Sequence, residues 1–76
     1  MKTKYTFTFN GIIEFLQDDI TIDNKKVQSY SEKQAKYLLA KELFENNYQF
    51  KRTLLEYFSA INRAVTRRRL HISVTR

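Results

Sequence analysis

The apolar residues of this chain change period twice, and that pattern restricts it to a fold that mixes strands with helices. Tyr5-Thr6-Phe7-Thr8-Phe9 alternates aromatic residues with threonine, the period of a strand with one buried face. From Ala35 to Val65 the apolar positions recur at helical spacing. Leu70, Ile72 and Val74 then alternate with His71, Ser73 and Thr75, which predicts a terminal strand from about Arg69 to Thr75. The expected class is α+β. A small antiparallel sheet, made of an N-terminal meander of three or four short strands plus the C-terminal strand, packs against two amphipathic helices over about 31–46 and 48–66.

Turn chemistry divides the N-terminal part. Asn10-Gly11 supplies the positive φ angles of a type I′ turn, which predicts a hairpin with Ile12 to Leu16 as its second strand. In a two-residue loop Phe7 would oppose Glu14, a poor pairing for a buried face, so a longer loop would shift the register. Asp18-Asp19 and Asp23-Asn24-Lys25 read as turns around a short strand Ile20-Thr21-Ile22, with Lys26 to Tyr30 as a further strand.

Ser31-Glu32-Lys33-Gln34 has the form of a capping box and opens the first helix. Ala35, Leu38, Leu39 and Leu43 form one apolar stripe on it, and Tyr37, Ala40 and Phe44 a second. The second helix follows Asn46-Asn47 and buries Phe50, Leu54, Tyr57, Phe58, Ile61, Ala64 and Val65. Its other face carries Arg52, Glu56, Ser59, Arg63 and Arg67. An ordinary helical hairpin is favoured over a helix-turn-helix, because nothing at the joint specifies a steep crossing angle.

At 76 residues the chain is read as a single domain over 1–76. A chain of this size buries only about 60% of its unfolded surface, so self-association is a natural supplement to its core. With no cysteine and one histidine it has neither a disulfide framework nor a usual zinc ligand set. Asp18, Asp19 and Asp23 lack EF-hand spacing, and no phosphate-cradling glycine loop or nucleophile elbow occurs. No cofactor, no metal and no enzymatic activity are expected. Tyr5 to Phe9 forms no continuous apolar segment of a secretory signal, and no apolar run is long enough to span a bilayer. A cytoplasmic protein is the resulting expectation.

Charge is the most informative bulk property once it is divided along the chain. Residues 1–47 carry seven basic and seven acidic side chains, whereas residues 48–76 carry seven basic side chains against Glu56 alone, so the whole formal +6 lies in that C-terminal part. Six of those seven basic residues are arginines. Such segregation points to an anionic partner. Arg52, Arg63, Arg67, Arg68 and Arg69, with His71 beyond them, form the candidate nucleic-acid-binding set, since arginine remains charged and contacts phosphate bidentately. Tyr30 and Tyr48, at element boundaries, are the two aromatic residues suited to base stacking. His71 has no neighbouring acid or nucleophile and reads as a surface histidine.

In outline, a small sheet followed by a capped helix, with Gln28-Ser29-Tyr30-Ser31-Glu32-Lys33-Gln34-Ala35 at the transition, resembles the arm-binding N-terminal domains of tyrosine integrases. The resemblance covers about half of the chain. Those domains read DNA with basic and polar sheet residues, whereas this sheet reads as apolar and threonine-rich, so no residue role is carried over.

Two functions compete. One is a small accessory protein that binds DNA or RNA electrostatically through the basic helix and the arginine cluster, as a homodimer joined through the first helix or a sheet edge. The other is a non-enzymatic protein-interaction module, a complex subunit or small inhibitor, that docks through Tyr37, Ala40 and Phe44 and meets an acidic protein partner with its basic face. Membrane binding is disfavoured, because the apolar face of the second helix is needed for the core.

Overall fold

In the computed structural model, which describes residues 3–46 and 51–75, Phe7 and Phe9 sit at the centre of the molecule on the middle strand of a sheet. That strand, β1 (Tyr5–Glu14), lies between β2 (Asp19–Ser29) and β3 (Leu70–Thr75) in an antiparallel sheet of order β2-β1-β3. Two helices, α1 (Glu32–Asn46) and α2 (Leu54–Thr66), cover one face. The α+β class stands as expected.

The meander is simpler than its turn residues suggest. Two long strands replace the expected three or four short ones, and neither Asn10-Gly11 nor Asp23-Asn24-Lys25 turns the chain. The hairpin closes instead at Leu16-Gln17, where the Phe15 amide donates to the Asp18 carbonyl at 2.9 Å. Between the pairs Phe9↔Lys25 and Gly11↔Ile22, Asp23 and Asn24 together oppose Asn10, a bulge in β2. Asn24 takes φ 50°, and its amide donates to Asn10 Oδ1 at 2.7 Å. The bulge moves the inward positions of β2 from Ile20 and Ile22 to Val27 and Ser29. That switch of parity is the signal that otherwise reads as a break between two strands.

Gly11 keeps β1 continuous where the chain enters β3. Its φ is 138°, and a Cβ there would lie 2.0 Å from the Arg69 carbonyl oxygen. The same carbonyl accepts from the Ile12 amide at 3.1 Å. Glycine is therefore needed both for its backbone angle and for the close approach.

The first helix starts as its cap predicts. The Gln34 amide donates to Ser31 Oγ at 3.1 Å, while Gln34 Oε1 accepts from the Tyr30 amide at 2.8 Å. The second helix begins at Leu54, later than expected, because Thr53 and Glu56 form a full capping box: the Glu56 amide donates to Thr53 Oγ1 at 3.1 Å, and the Thr53 amide to Glu56 Oε1 at 3.2 Å. Lys51, at φ 54°, and Arg52 precede this helix instead of belonging to it. Phe50 and Tyr48 lie outside the described residues.

Ala35, Leu39, Ala40 and Leu43 of α1 meet Tyr57, Ala60, Ile61 and Ala64 of α2 in the core above Phe7, Phe9, Ile13 and Leu70. Four of these eight helical residues are alanines, whose small side chains suit close packing in the core. Ala40 is fully buried, which corrects its assignment to an outer interface: the second stripe of α1 divides, with Ala40 turned into the core.

The last turn of α2 closes in a Schellman motif. The Arg69 amide donates to the Ala64 carbonyl at 2.8 Å and the Arg68 amide to the Val65 carbonyl at 3.1 Å, with Arg68 at φ 59°. The face of the sheet away from the helices is polar. Thr6, Thr8 and Asn10 lie in register with Gln28, Lys26, His71, Ser73 and Thr75.

Candidate nucleic-acid interface

Ser59, Asn62, Arg63 and Thr66 of α2 and its C-cap Arg67 occupy positions spaced three and four apart and line one shallow concavity. Arg63 continues from it into a second concavity, bounded by Arg52, Leu55, Glu56 and the Phe15 to Gln17 turn. The two form a strip along the outer face of α2, with arginine at both ends.

The six residues expected to bind nucleic acid are not equivalent in this geometry. Arg52 is held by Asp18: both guanidinium ends contact the carboxylate, one at 3.2 Å, and the guanidinium carbon stands 3.7 Å from the centroid of the Phe15 ring. The two side chains are only 14% and 24% exposed. The hydrogen bond with Asp18 raises the Arg52 pKa further above the usual guanidinium value, with Tyr57 as an additional partner. Phe15 and Tyr57 meet edge to face at 5.6 Å, so Arg52 belongs to a clamp joining the β1–β2 turn to the start of α2.

Arg69 makes a looser pair, Nε to Glu14 Oε1 at 3.3 Å, with both side chains well exposed. Water and salt screen such a pair, and it leaves much of the arginine's charge available. Among the described residues, no acidic side chain lies within ion-pair distance of Arg63, Arg67 or Arg68. Arg68 is exposed at the tip of the Schellman turn. His71 is also exposed but lies opposite Asn10 on the helix-free face of the sheet, away from the α2 strip.

The aromatic candidates separate similarly. Tyr37 and Phe44 are half-exposed on α1, and Tyr37 meets Phe58 of α2 edge to face at 6.4 Å. Tyr30 is exposed with the Lys4 ammonium 5.6 Å from its ring centroid, while Tyr48 lies outside the described residues.

Asn62 and Thr66 are the contributors that the charge pattern does not reveal. Their signal is the spacing of polar residues from Ser59 to Arg67, legible once α2 is known to start at Leu54. Leu16 and Leu55 are a second surprise, since both large apolar side chains are exposed at the upper end of the strip, Leu55 at 71%. Among the described residues, no helix is long and apolar enough to cross a membrane. No family model, curated protein or solved structure matches this chain.

Proposed function

We propose that the protein binds nucleic acid electrostatically through the α2 strip and the turn after it, with Arg63, Arg67 and Arg68 as the principal phosphate contacts. The observation that carries this reading is that these three arginines have no acidic partner among the described residues, whereas Arg52 has one. Ser59, Asn62 and Thr66 beside them offer neutral hydrogen-bonding groups suited to phosphate and sugar. Arg69, paired with Glu14, and Arg52, paired with Asp18, are not counted among the phosphate contacts.

Three contacts of this kind give affinity that falls with salt at a log–log slope of roughly −2.7 on duplex DNA. Such contacts carry no base-edge readout, so sequence discrimination is expected to be weak. The test is binding of labelled duplex DNA, single-stranded DNA and RNA across a salt series, for the wild type and an Arg63→Gln/Arg67→Gln/Arg68→Gln variant. Wild-type binding that this variant retains would count against the proposal.

A second reading, docking of an acidic protein partner, is favoured by Leu16 and Leu55. An exposed apolar pair beside Arg63 suits a protein segment carrying both apolar and acidic side chains. Leu16→Ser/Leu55→Ser separates the two readings, because it removes the apolar anchor and leaves the three arginines in place.

A further inference from the structure

The two edges of the sheet are built differently. The β2 edge carries a bulge at Asp23-Asn24 together with Asp19, Asp23, Lys25 and Lys26, devices that discourage pairing with another strand. The β3 edge has none of them. Leu70-His71-Ile72-Ser73-Val74-Thr75 contains no proline, glycine, acid, lysine or arginine, and its register with β1 runs from Gly11↔Leu70 to Thr6↔Thr75 without a break. Threonine, isoleucine and valine also favour the extended conformation.

Among the described residues no strand pairs with the outer side of β3, and the ladder shows which of its backbone groups face that side. The Arg69 carbonyl points to β1, where it accepts from Ile12. Strand alternation then turns His71, Ser73 and Thr75 towards β1, and directs the amides and carbonyls of Leu70, Ile72 and Val74 outward. Val74 carries a second sign that no described strand covers this edge. It lies on the helix-covered face beside buried Phe7, yet it is 53% exposed.

From these features we infer that β3 pairs antiparallel with β3 of a second copy, continuing the sheet through a symmetric homodimer. A two-fold axis at Ile72 places Ile72 opposite Ile72 of the second copy and Val74 opposite Leu70 of the second copy. All three outward residues then pair, and the apolar row is complementary to itself. On the other face His71 stands opposite Ser73 of the second copy. The strand carries no formal charge, so two copies meet there without repulsion. Any other register that keeps the buried face in place pairs fewer outward residues, and a one-residue slip turns Val74 to the wrong face.

This inference is independent of the nucleic-acid reading and is tested in two parts. By analytical ultracentrifugation the wild type should sediment at twice its 9.2 kDa mass. Val74→Pro removes an outward amide that makes no bond to β1, and Val74→Lys adds an edge charge; each should give a folded 9.2 kDa species. The chain has no cysteine, so single-cysteine probes are clean. A mixture of His71→Cys and Ser73→Cys proteins should form an oxidised cross-link that neither forms alone, because only unlike positions face each other, about 4.5 Å apart at Cα. A wild type that stays at 9.2 kDa, a dimer that survives Val74→Lys, or cross-linking equal in the separate and mixed samples would overturn the inference.

Discussion

Arg52 and Asp18 form a two-pronged ion pair across the gap between the β1–β2 turn and the segment that leads into α2, and the Phe15 ring lies beneath the guanidinium. This pair explains why one arginine of the basic set is structural. A charge pinned by a carboxylate and packed on a ring keeps its place in the absence of any ligand, and removing either partner leaves the other poorly solvated.

Arg52→Ala is therefore expected to destabilise the fold by about 1–3 kcal/mol, since both the ion pair and the stacking on Phe15 are lost. Asp18→Asn should cost less, about 1 kcal/mol, because Phe15 still supports the guanidinium. Urea denaturation of the two single variants and the double variant measures the coupling directly. Additive effects would show that the pair contributes nothing.

Gly11→Ala should be far more damaging. The new Cβ would stand 2.0 Å from the Arg69 carbonyl oxygen and 2.9 Å from the Leu70 Cα, both backbone atoms, at a φ of 138° that alanine rarely adopts. Separation of β1 from the α2–β3 connection is expected, with a loss above about 3 kcal/mol, a large fraction of the stability of so small a domain. Thermal melting followed by circular dichroism would report it.

Arg68 sits in the left-handed conformation where glycine is the favoured residue. Arg68→Gly should stabilise the fold by about 1 kcal/mol through relief of that strain, and should also weaken nucleic-acid binding by removing a cation that has no acidic partner among the described residues. Opposite signs from one substitution distinguish a binding residue from an incidental turn residue. Stabilisation with unchanged affinity would remove Arg68 from the site.

Thr53→Ala removes the side-chain acceptor of the α2 cap and should cost about 1 kcal/mol, measured by chemical denaturation. An α2 that began upstream, at Asn46-Asn47, would be insensitive to this change.

The periodic segments were legible in the sequence, and the punctuation between them was less so. Tyr5 to Phe9, the Ser31 cap and Leu70 to Thr75 each carry a local pattern that the tertiary fold preserves. Asn10-Gly11 misleads because glycine's freedom serves a hairpin turn or a close strand approach equally well: here Gly11 alone of the pair takes a positive φ, and only the approach of Arg69 from a distant part of the chain decides between the two. Asn24 is the same case on β2. The start of α2 was available as Thr53-Leu54-Leu55-Glu56, yet Asn46-Asn47 offered a competing boundary.

The site follows the same division. Segregated charge identifies the arginines, but sequence distance hides that Asp18 takes Arg52 and that the sheet carries His71 to another face. Ala40 shows the limit of a helical stripe. Its stripe neighbours Tyr37 and Phe44 stay half-exposed, while Ala40 is buried in the core through tertiary packing that periodicity cannot specify.

The central claim is tested most directly by fluorescence anisotropy of the full chain with labelled duplex DNA, single-stranded DNA and RNA over a range of salt concentration. Binding to at least one polymer is predicted, with a log–log salt slope of roughly −2.7 on the duplex that loses about one for each of Arg63, Arg67 and Arg68 replaced by glutamine. No binding at low salt, or a slope unchanged in the triple variant, would contradict the assignment of the α2 strip as a nucleic-acid interface.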